Sequence, residues 1–259
     1  MHWWGRMKIK RDLYIYGTVY NNEEYIAKCI NSINNLNSKK IVIVDAGSTD
    51  GTLRELKKLG ITAIEAGRCT RGKGRQIALE HIYKIAHDDD LAMYIDLDTV
   101  YSKDFILLMK NDIKKANDNE VYLGMLTTIR TNKKIPWRNL NVDEDWERMA
   151  HMYYLGIKPK RFIEKGNAKF GINRDEEKPY YIREMHYGSR YRLFKNLIDE
   201  HRGIAYKSWS GSSVNGNGSL VFLLANYVAH FIAKILGTYD YDNNLDNKQI
   251  FENAFKIKL

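Results

Sequence analysis

The chain has 259 residues, 44% of them hydrophobic and 28% charged, with a formal net charge of +9. That length and apolar content build one sizeable folded unit and exclude a disordered polyelectrolyte. The positive excess attracts phosphate, nucleic acid or anionic lipid, but no run of five like charges occurs, which argues against a basic nucleic-acid tail. Two cysteines, Cys29 and Cys69, stand in no CxxC or Cys/His spacing, so they read as free thiols of a reducing compartment rather than a disulfide framework.

Residues 1–11 lack an apolar stretch of signal-peptide length, and the chain reads as cytoplasmic. They do carry Trp3 and Trp4 beside Arg6, Lys8, Lys10 and Arg11. Residues 12–19 form an aromatic and β-branched run, and 23–33 take up helical periodicity. The sequence KIVIV at 40–44 reads as a buried strand. Residues 52–59 are helical and stop at Gly60. A third strand is expected at 61–64, a helix at 73–86, a fourth strand at 91–97, a helix at 105–116 and a single strand at 121–129. Strands alternating with helices imply a mostly parallel, Rossmann-like α/β sheet flanked by helices. Ligands in such sheets lie beyond the carboxyl ends of the strands.

After residue 129 the pattern loosens. Residues 131–141 read as loop and 143–155 as helix. Residues 158–178 are polar and irregular, 180–185 suit a strand, 191–199 a helix and 208–219 a Gly/Ser/Asn-rich hinge. Residues 220–236 form an apolar helix whose polar members, Asn226, His230 and Lys234, fall in one stripe. At 1.5 Å per residue it spans about 25 Å, short for a membrane crossing. It fits a core helix, a subunit contact or a membrane-interface element, and with the N-terminal tryptophans and cations it permits peripheral membrane association. The resulting partition is an N-terminal extension (1–11), a regular strand-and-helix half (12–130), a looser half (131–207), and a hinge with a helical appendage (208–259).

Four clusters fall at the strand ends. Thr18 to Glu24 closes the first strand. The segment VDAGSTDGT at 44–52 closes the second, with small residues that admit a ligand close to the backbone. The segment RGKGR at 71–75 opens a helix, where N–H groups, the dipole and three cations suit a phosphate. Asp96-Leu97-Asp98 closes the fourth strand. In extended backbone both carboxylates share a face, where they hold a hard divalent cation that neutralises a leaving diphosphate.

The order and spacing of TVYNNEEYIAKCINSI, VDAGSTDGT, GKGRQIALEH and YIDLDT resemble the family 2 glycosyltransferases of the GT-A fold over about residues 12–155. That resemblance implies a glycosyltransferase of hexosyltransferase type, a UDP- or GDP-linked sugar donor, Mn²⁺ or Mg²⁺, and inversion at the anomeric carbon. It implies donor contacts from Thr18, Tyr20, Glu23, Asp45, Lys73, Arg75 and Asp96, and metal ligation by Asp98 with Asp96. Asp145 in DEDWER would be the base that deprotonates an acceptor hydroxyl, while Asp143 and Glu144 suit a helix first turn. His186 resembles a late histidine that joins the metal or diphosphate in some members. Ala46 departs from the family, whose usual acid there contacts uracil, so the base stays open. The acceptor is a sugar, lipid-linked or protein-linked hydroxyl, and no nucleic-acid partner is expected. A nucleotidyltransferase would carry a Gly-rich loop after strand one, which is missing, and a non-catalytic sugar-nucleotide binder would need no base at Asp145.

Overall fold

The structure, a computed structural model, describes residues 11–140, 144–160, 171–173, 198, 202 and 220–237. The chain begins with β1 (Leu13–Val19), α1 (Glu23–Ile33) and β2 (Lys40–Asp45), followed by α2 (Thr52–Lys58) and β3 (Ile64–Glu65). It continues through α3 (Arg71–Tyr83), β4 (Leu91–Tyr94), β5 (Thr99–Tyr101) and α4 (Lys103–Lys115). Then come β6 (Glu120–Tyr122), β7 (Leu126–Thr128), α5 (Ile129–Lys134), α6 (Glu144–Tyr154), β8 (Lys158–Lys160) and β9 (Gly171–Asn173). The last described helix is α7 (Leu220–Leu236).

Seven strands form one sheet in the order β3-β2-β1-β4-β7-β6-β8, and β5 pairs with β9 apart from it. Only β7 runs against the other six. The mixed α/β fold with a mostly parallel sheet is therefore the one expected. β1 and β4 are buried almost throughout, as strands covered on both faces must be. Helix α1 presents Ile26, Cys29, Ile30 and Ile33 to the core, the spacing that puts four side chains on one face. Helix α3 lies on β1 and β2.

Four stretches differ from expectation. β4 ends at Tyr94; Ile95 still donates its N–H to the Tyr16 carbonyl at 2.9 Å, and then the chain turns, with Thr99 N–H donating to the Asp96 carbonyl at 3.2 Å. Asp96 and Asp98 thus belong to a turn, so the shared-face rule for extended strands does not govern them. The single strand expected at 121–129 is a hairpin, β6 and β7. Leu123 (φ 53°) and Gly124 (φ 70°) both adopt left-handed backbone between its strands, the twist that lets two-residue turns join antiparallel strands. Residues 131–141, expected as loop, begin with α5, whose N-cap Thr128 accepts the Thr131 N–H through its hydroxyl. The polar stretch after 158 contributes β8 and β9, which pair with β6 and β5 across the expected division at residue 130. The strand expected at 180–185, the hinge at 208–219 and His186 lie outside the described residues, as does nearly all of the helix expected at 191–199.

Candidate active site

The loops after β1 and β2 are locked to each other. Asn21, in left-handed backbone at φ 44°, donates its N–H to Ser48 Oγ (2.9 Å) and accepts the Thr49 N–H on Oδ1 (2.8 Å). Asn22 N–H donates to Thr52 Oγ1 at 2.7 Å, and Glu23 N–H donates to Asp50 Oδ2 at 3.1 Å. In return Gly51 N–H donates to Glu23 Oε2 at 3.0 Å, and Arg54 pairs with the same carboxylate. Asp50 feels burial that would raise its pKa, but the donors from Thr52 and Glu23 outweigh it and hold the carboxylate below its usual range. Asn22 also reaches across: its buried Nδ2 donates to the Leu97 carbonyl at 2.7 Å, tying this loop pair to the Asp96–Asp98 turn.

The residues expected at the donor divide into those that face outward and those engaged by protein. Tyr20 is 43% exposed at the rim, and the Lys73 side chain is exposed. Asp45 is only 2% exposed; its carboxylate accepts the N–H groups of Gly47 (2.9 Å) and Ser48 (3.0 Å) and so shapes its own loop. Thr18 Oγ1 donates to the Arg71 carbonyl at 3.2 Å. The first-turn amides of α3, expected to cradle phosphate, are already used within the protein. Gly72 N–H donates to the Leu140 carbonyl (2.9 Å), Lys73 N–H to Thr70 Oγ1 (3.1 Å) and Gly74 N–H to the Thr70 carbonyl (2.9 Å). The glycines serve close packing: a Cβ on Gly72 would sit 1.8 Å from the Arg138 carbonyl oxygen, and one on Gly74 2.4 Å from Thr18 Oγ1.

Arg75 holds the centre. Its guanidinium donates through one terminal nitrogen to Asp96 Oδ1 and through the other to Glu144 Oε1, both at 2.7 Å. The side chains of Arg75 and Glu144 are 6% and 3% exposed, that of Asp96 47%. The guanidinium carbon lies 4.6 Å from the ring centroids of both Tyr94 and Trp137, so the cation is stacked as well as paired. Burial works against its charge, yet Glu144 and Asp96 outweigh burial and hold Arg75 cationic. Burial is also the largest influence on Glu144; together with the neighbouring Asp145 charge, and against the pull of Arg75, it pushes that carboxyl up to about 7. Asp145, the next residue, is partly exposed.

Trp137 takes a second cation. The Arg148 guanidinium stands 4.3 Å from its ring and is fixed by the Ile135 carbonyl (3.0 Å), the Tyr16 hydroxyl (3.2 Å) and Asn132 Oδ1. The indole N–H donates to the same Tyr16 oxygen at 2.9 Å. In the sequence Glu144 suits a helix first turn within DEDWER, and no individual role attaches to Arg148, Tyr16 or Asn22. One signal was present: Glu144 and Arg148 stand four apart, so they share one face of α6, and that face is the buried one.

Asp96 and Asp98 offer oxygen ligands alone on a partly exposed turn, and Asp96 N–H is held by the Tyr101 hydroxyl at 2.9 Å. Among the described residues no three His, Cys, Asp or Glu side chains form a complete metal cage. Two carboxylates on one turn suit a hard divalent cation that draws its remaining ligands from phosphate oxygens and water.

The mostly parallel α/β sheet is consistent with the GT-A fold. The family model described as Glycosyl transferase family 2 matches residues 15–178, and the chain belongs to that family of glycosyltransferases. No curated protein matches the sequence. Among solved structures the fold is similar to glucosyl-3-phosphoglycerate synthase from Mycobacterium tuberculosis in complex with Mg²⁺ and uridine-diphosphate. That match has a TM-score of 0.53 at 15% identity, covering 72% of this chain and 78% of that one. The same enzyme with Mn²⁺, uridine-diphosphate-glucose and phosphoglyceric acid matches with a TM-score of 0.50 at 14% identity, covering 72% and 79%. At these identities the likeness is one of fold. Among the described residues no helix is long and apolar enough to cross a membrane.

Proposed function

We propose that this chain transfers a glycosyl group, with inversion, from a nucleotide-diphosphate sugar to a hydroxyl acceptor. The observation that carries the reading is the meeting at Arg75 of two groups of carboxylates. One comes from the turn after β4, the other from the first turn of α6, and the charges of Asp96, Glu144 and Asp145 all act on that guanidinium. Inverting transfer needs a cation-binding edge for the departing diphosphate and a base on the opposite side of the sugar.

In this reading Asp98 and Asp96 hold Mn²⁺ or Mg²⁺. Such an ion, when bound, neutralises charge that develops on the leaving diphosphate. Asp145 takes the proton of the acceptor hydroxyl, whose oxygen bonds to the anomeric carbon as the bond to the diphosphate oxygen breaks and its electron pair leaves with the nucleotide. Tyr20 and Lys73, exposed at the rim, meet the donor. The Asp45 and Glu23 carboxylates act through the loops they shape. Residues 12–130 carry donor chemistry and 131–207 acceptor choice, the acceptor being a glycan, a lipid-linked or a protein-linked hydroxyl.

The test is calorimetry and slow donor hydrolysis over a panel of UDP- and GDP-linked sugars, with and without Mn²⁺, on wild type and Asp98→Ala. Metal-dependent binding of one donor, lost in the variant, is expected. No binding of any donor under any metal condition would overturn the reading and favour a non-catalytic module.

A further inference from the structure

The three charged groups Asp96, Arg75 and Glu144 form a chain through the protein, and its two ends are the two functional edges of the site. At one end Asp96 lies in the turn that presents Asp98. At the other, Glu144 opens α6 and is followed by Asp145. The only bonds in this chain are the two 2.7 Å contacts of one guanidinium. That guanidinium is pinned between Tyr94 of β4 and Trp137 of the acceptor-side segment. A planar fork fixes direction as well as distance, which an ammonium does not.

We infer that Asp96–Arg75–Glu144 is a strut that sets the separation between the diphosphate edge and the base, with Arg75 and Glu144 as positioning residues for transfer. The inference rests on the transferase reading above and goes beyond it by assigning work to a helix-opening glutamate that itself meets no substrate. The physical reason is the steep dependence of displacement on alignment, in which a misplacement of about 1 Å costs on the order of a hundredfold in rate. Asp145 has its backbone anchored one residue away by Glu144. Asp96 has its carboxylate held by Arg75, its N–H by Tyr101, and the next residue's carbonyl by Asn22. Loosening Glu144 therefore loosens the guanidinium that also holds Asp96, so its effect reaches the far end through Arg75.

The experiment uses the full chain and two single variants, Glu144→Gln and Arg75→Lys, with their double. Glu144→Gln keeps shape and one acceptor oxygen; Arg75→Lys keeps charge and loses the fork. Amide hydrogen exchange is expected to rise about tenfold at 96–101 as well as at 144–148 in either variant, because opening of a tied segment is released with its tie. The transfer kcat is expected to fall roughly 10- to 100-fold in each, with donor KM little changed in Glu144→Gln. The double variant should be no worse than about the poorer single, since both break one strut. Exchange that rises at 144–148 alone, or active wild type with variants of unchanged kcat, overturns the strut and leaves the transferase reading standing. Wild type that transfers no sugar from any donor overturns both.

Discussion

The central sheet and the segment from Ile135 through α6 are held in different proportions by apolar burial and by polar contacts. In the sheet, Tyr14, Ile15, Ile43, Leu91 and Met93 are at most 1% exposed and belong to one continuous core. Ile135 and Met152 of the segment from Ile135 through α6 share a much smaller apolar cluster with Val121 of β6 and with Ile157, Met149 packing against it. Trp137 joins the sheet's core, and directional contacts add to that tie: Arg75 to Glu144, Arg148 to Tyr16 and Asn132, Trp137 to Tyr16. Apolar burial tolerates small shifts of angle; a stacked guanidinium bonded through separate nitrogens to separate partners does not. The sheet core thus serves stability and the polar contacts of the segment serve placement, and substitutions in the two should fail differently.

The largest effect is expected from Asp145→Asn. Removing the proposed base should lower transfer by about a thousandfold, roughly 4 kcal/mol of barrier at 1.36 kcal/mol per tenfold. Thermal stability and metal-dependent donor binding should stay near wild type. Loss of donor binding in calorimetry would show that Asp145 belongs to the donor edge instead. The converse substitution is Met93→Ala in the core of β4, where deletion of a fully buried side chain should cost about 2–5 kcal/mol. Denaturant unfolding would measure that cost, and the fraction that stays folded should retain its kcat. A kcat that fell in step with stability would erase the distinction between the two regions.

Tyr16 stands where the regions meet. It is a β1 residue, 0% exposed, whose hydroxyl accepts from both Trp137 Nε1 and Arg148. Tyr16→Phe keeps the ring in the core and leaves two buried donors without this acceptor, at a cost of about 1–3 kcal/mol. Its signature should be local: faster amide exchange across residues 135–154, with the sheet little affected. A uniform loss of protection would place Tyr16 in the core alone.

The sheet was legible because periodicity and β-branched runs report burial directly, and β1, β2, α1 and α6 fall close to where the pattern puts them. The hairpin at Leu123-Gly124 was not, because an apolar residue in left-handed backbone has no compositional signal. β8 and β9 were hidden for another reason. They are three-residue strands in polar sequence, and pairing with distant strands, rather than local propensity, defines them. At the site, Asp96, Asp98, Asp145 and Arg75 were visible as motif residues. The jobs of Glu144, Arg148 and Asn22 were not, because each depends on a partner at least 13 positions away in the chain. The RGKGR segment misled in an instructive way. Its glycines look like a phosphate cradle, but Gly72 and Gly74 are small because a backbone and Thr18 press on them.

The smallest predicted effect separates the regions by pH. His151 sits in α6, and burial first, then the charges of Arg138 and Arg148, lowers its pKa from the ordinary 6.5 to about 4. Between those values the unfolded chain binds a proton there and the folded chain does not, so stability rises with pH through this window and is lost as pH falls from about 6.5 towards 4. His151 is partly exposed, which screens the two guanidinium charges and limits the loss to on the order of 1 kcal/mol at pH 5. His151→Gln cannot take up the proton, so its Tm should fall less than that of wild type between pH 7.5 and 5. Because the titrating group and both cations lie on the acceptor side, the added exchange in acid should begin in α6. Equal acid sensitivity in the two proteins would mean that His151 is solvated, and that the acceptor-side segment packs more loosely than its guanidinium contacts require.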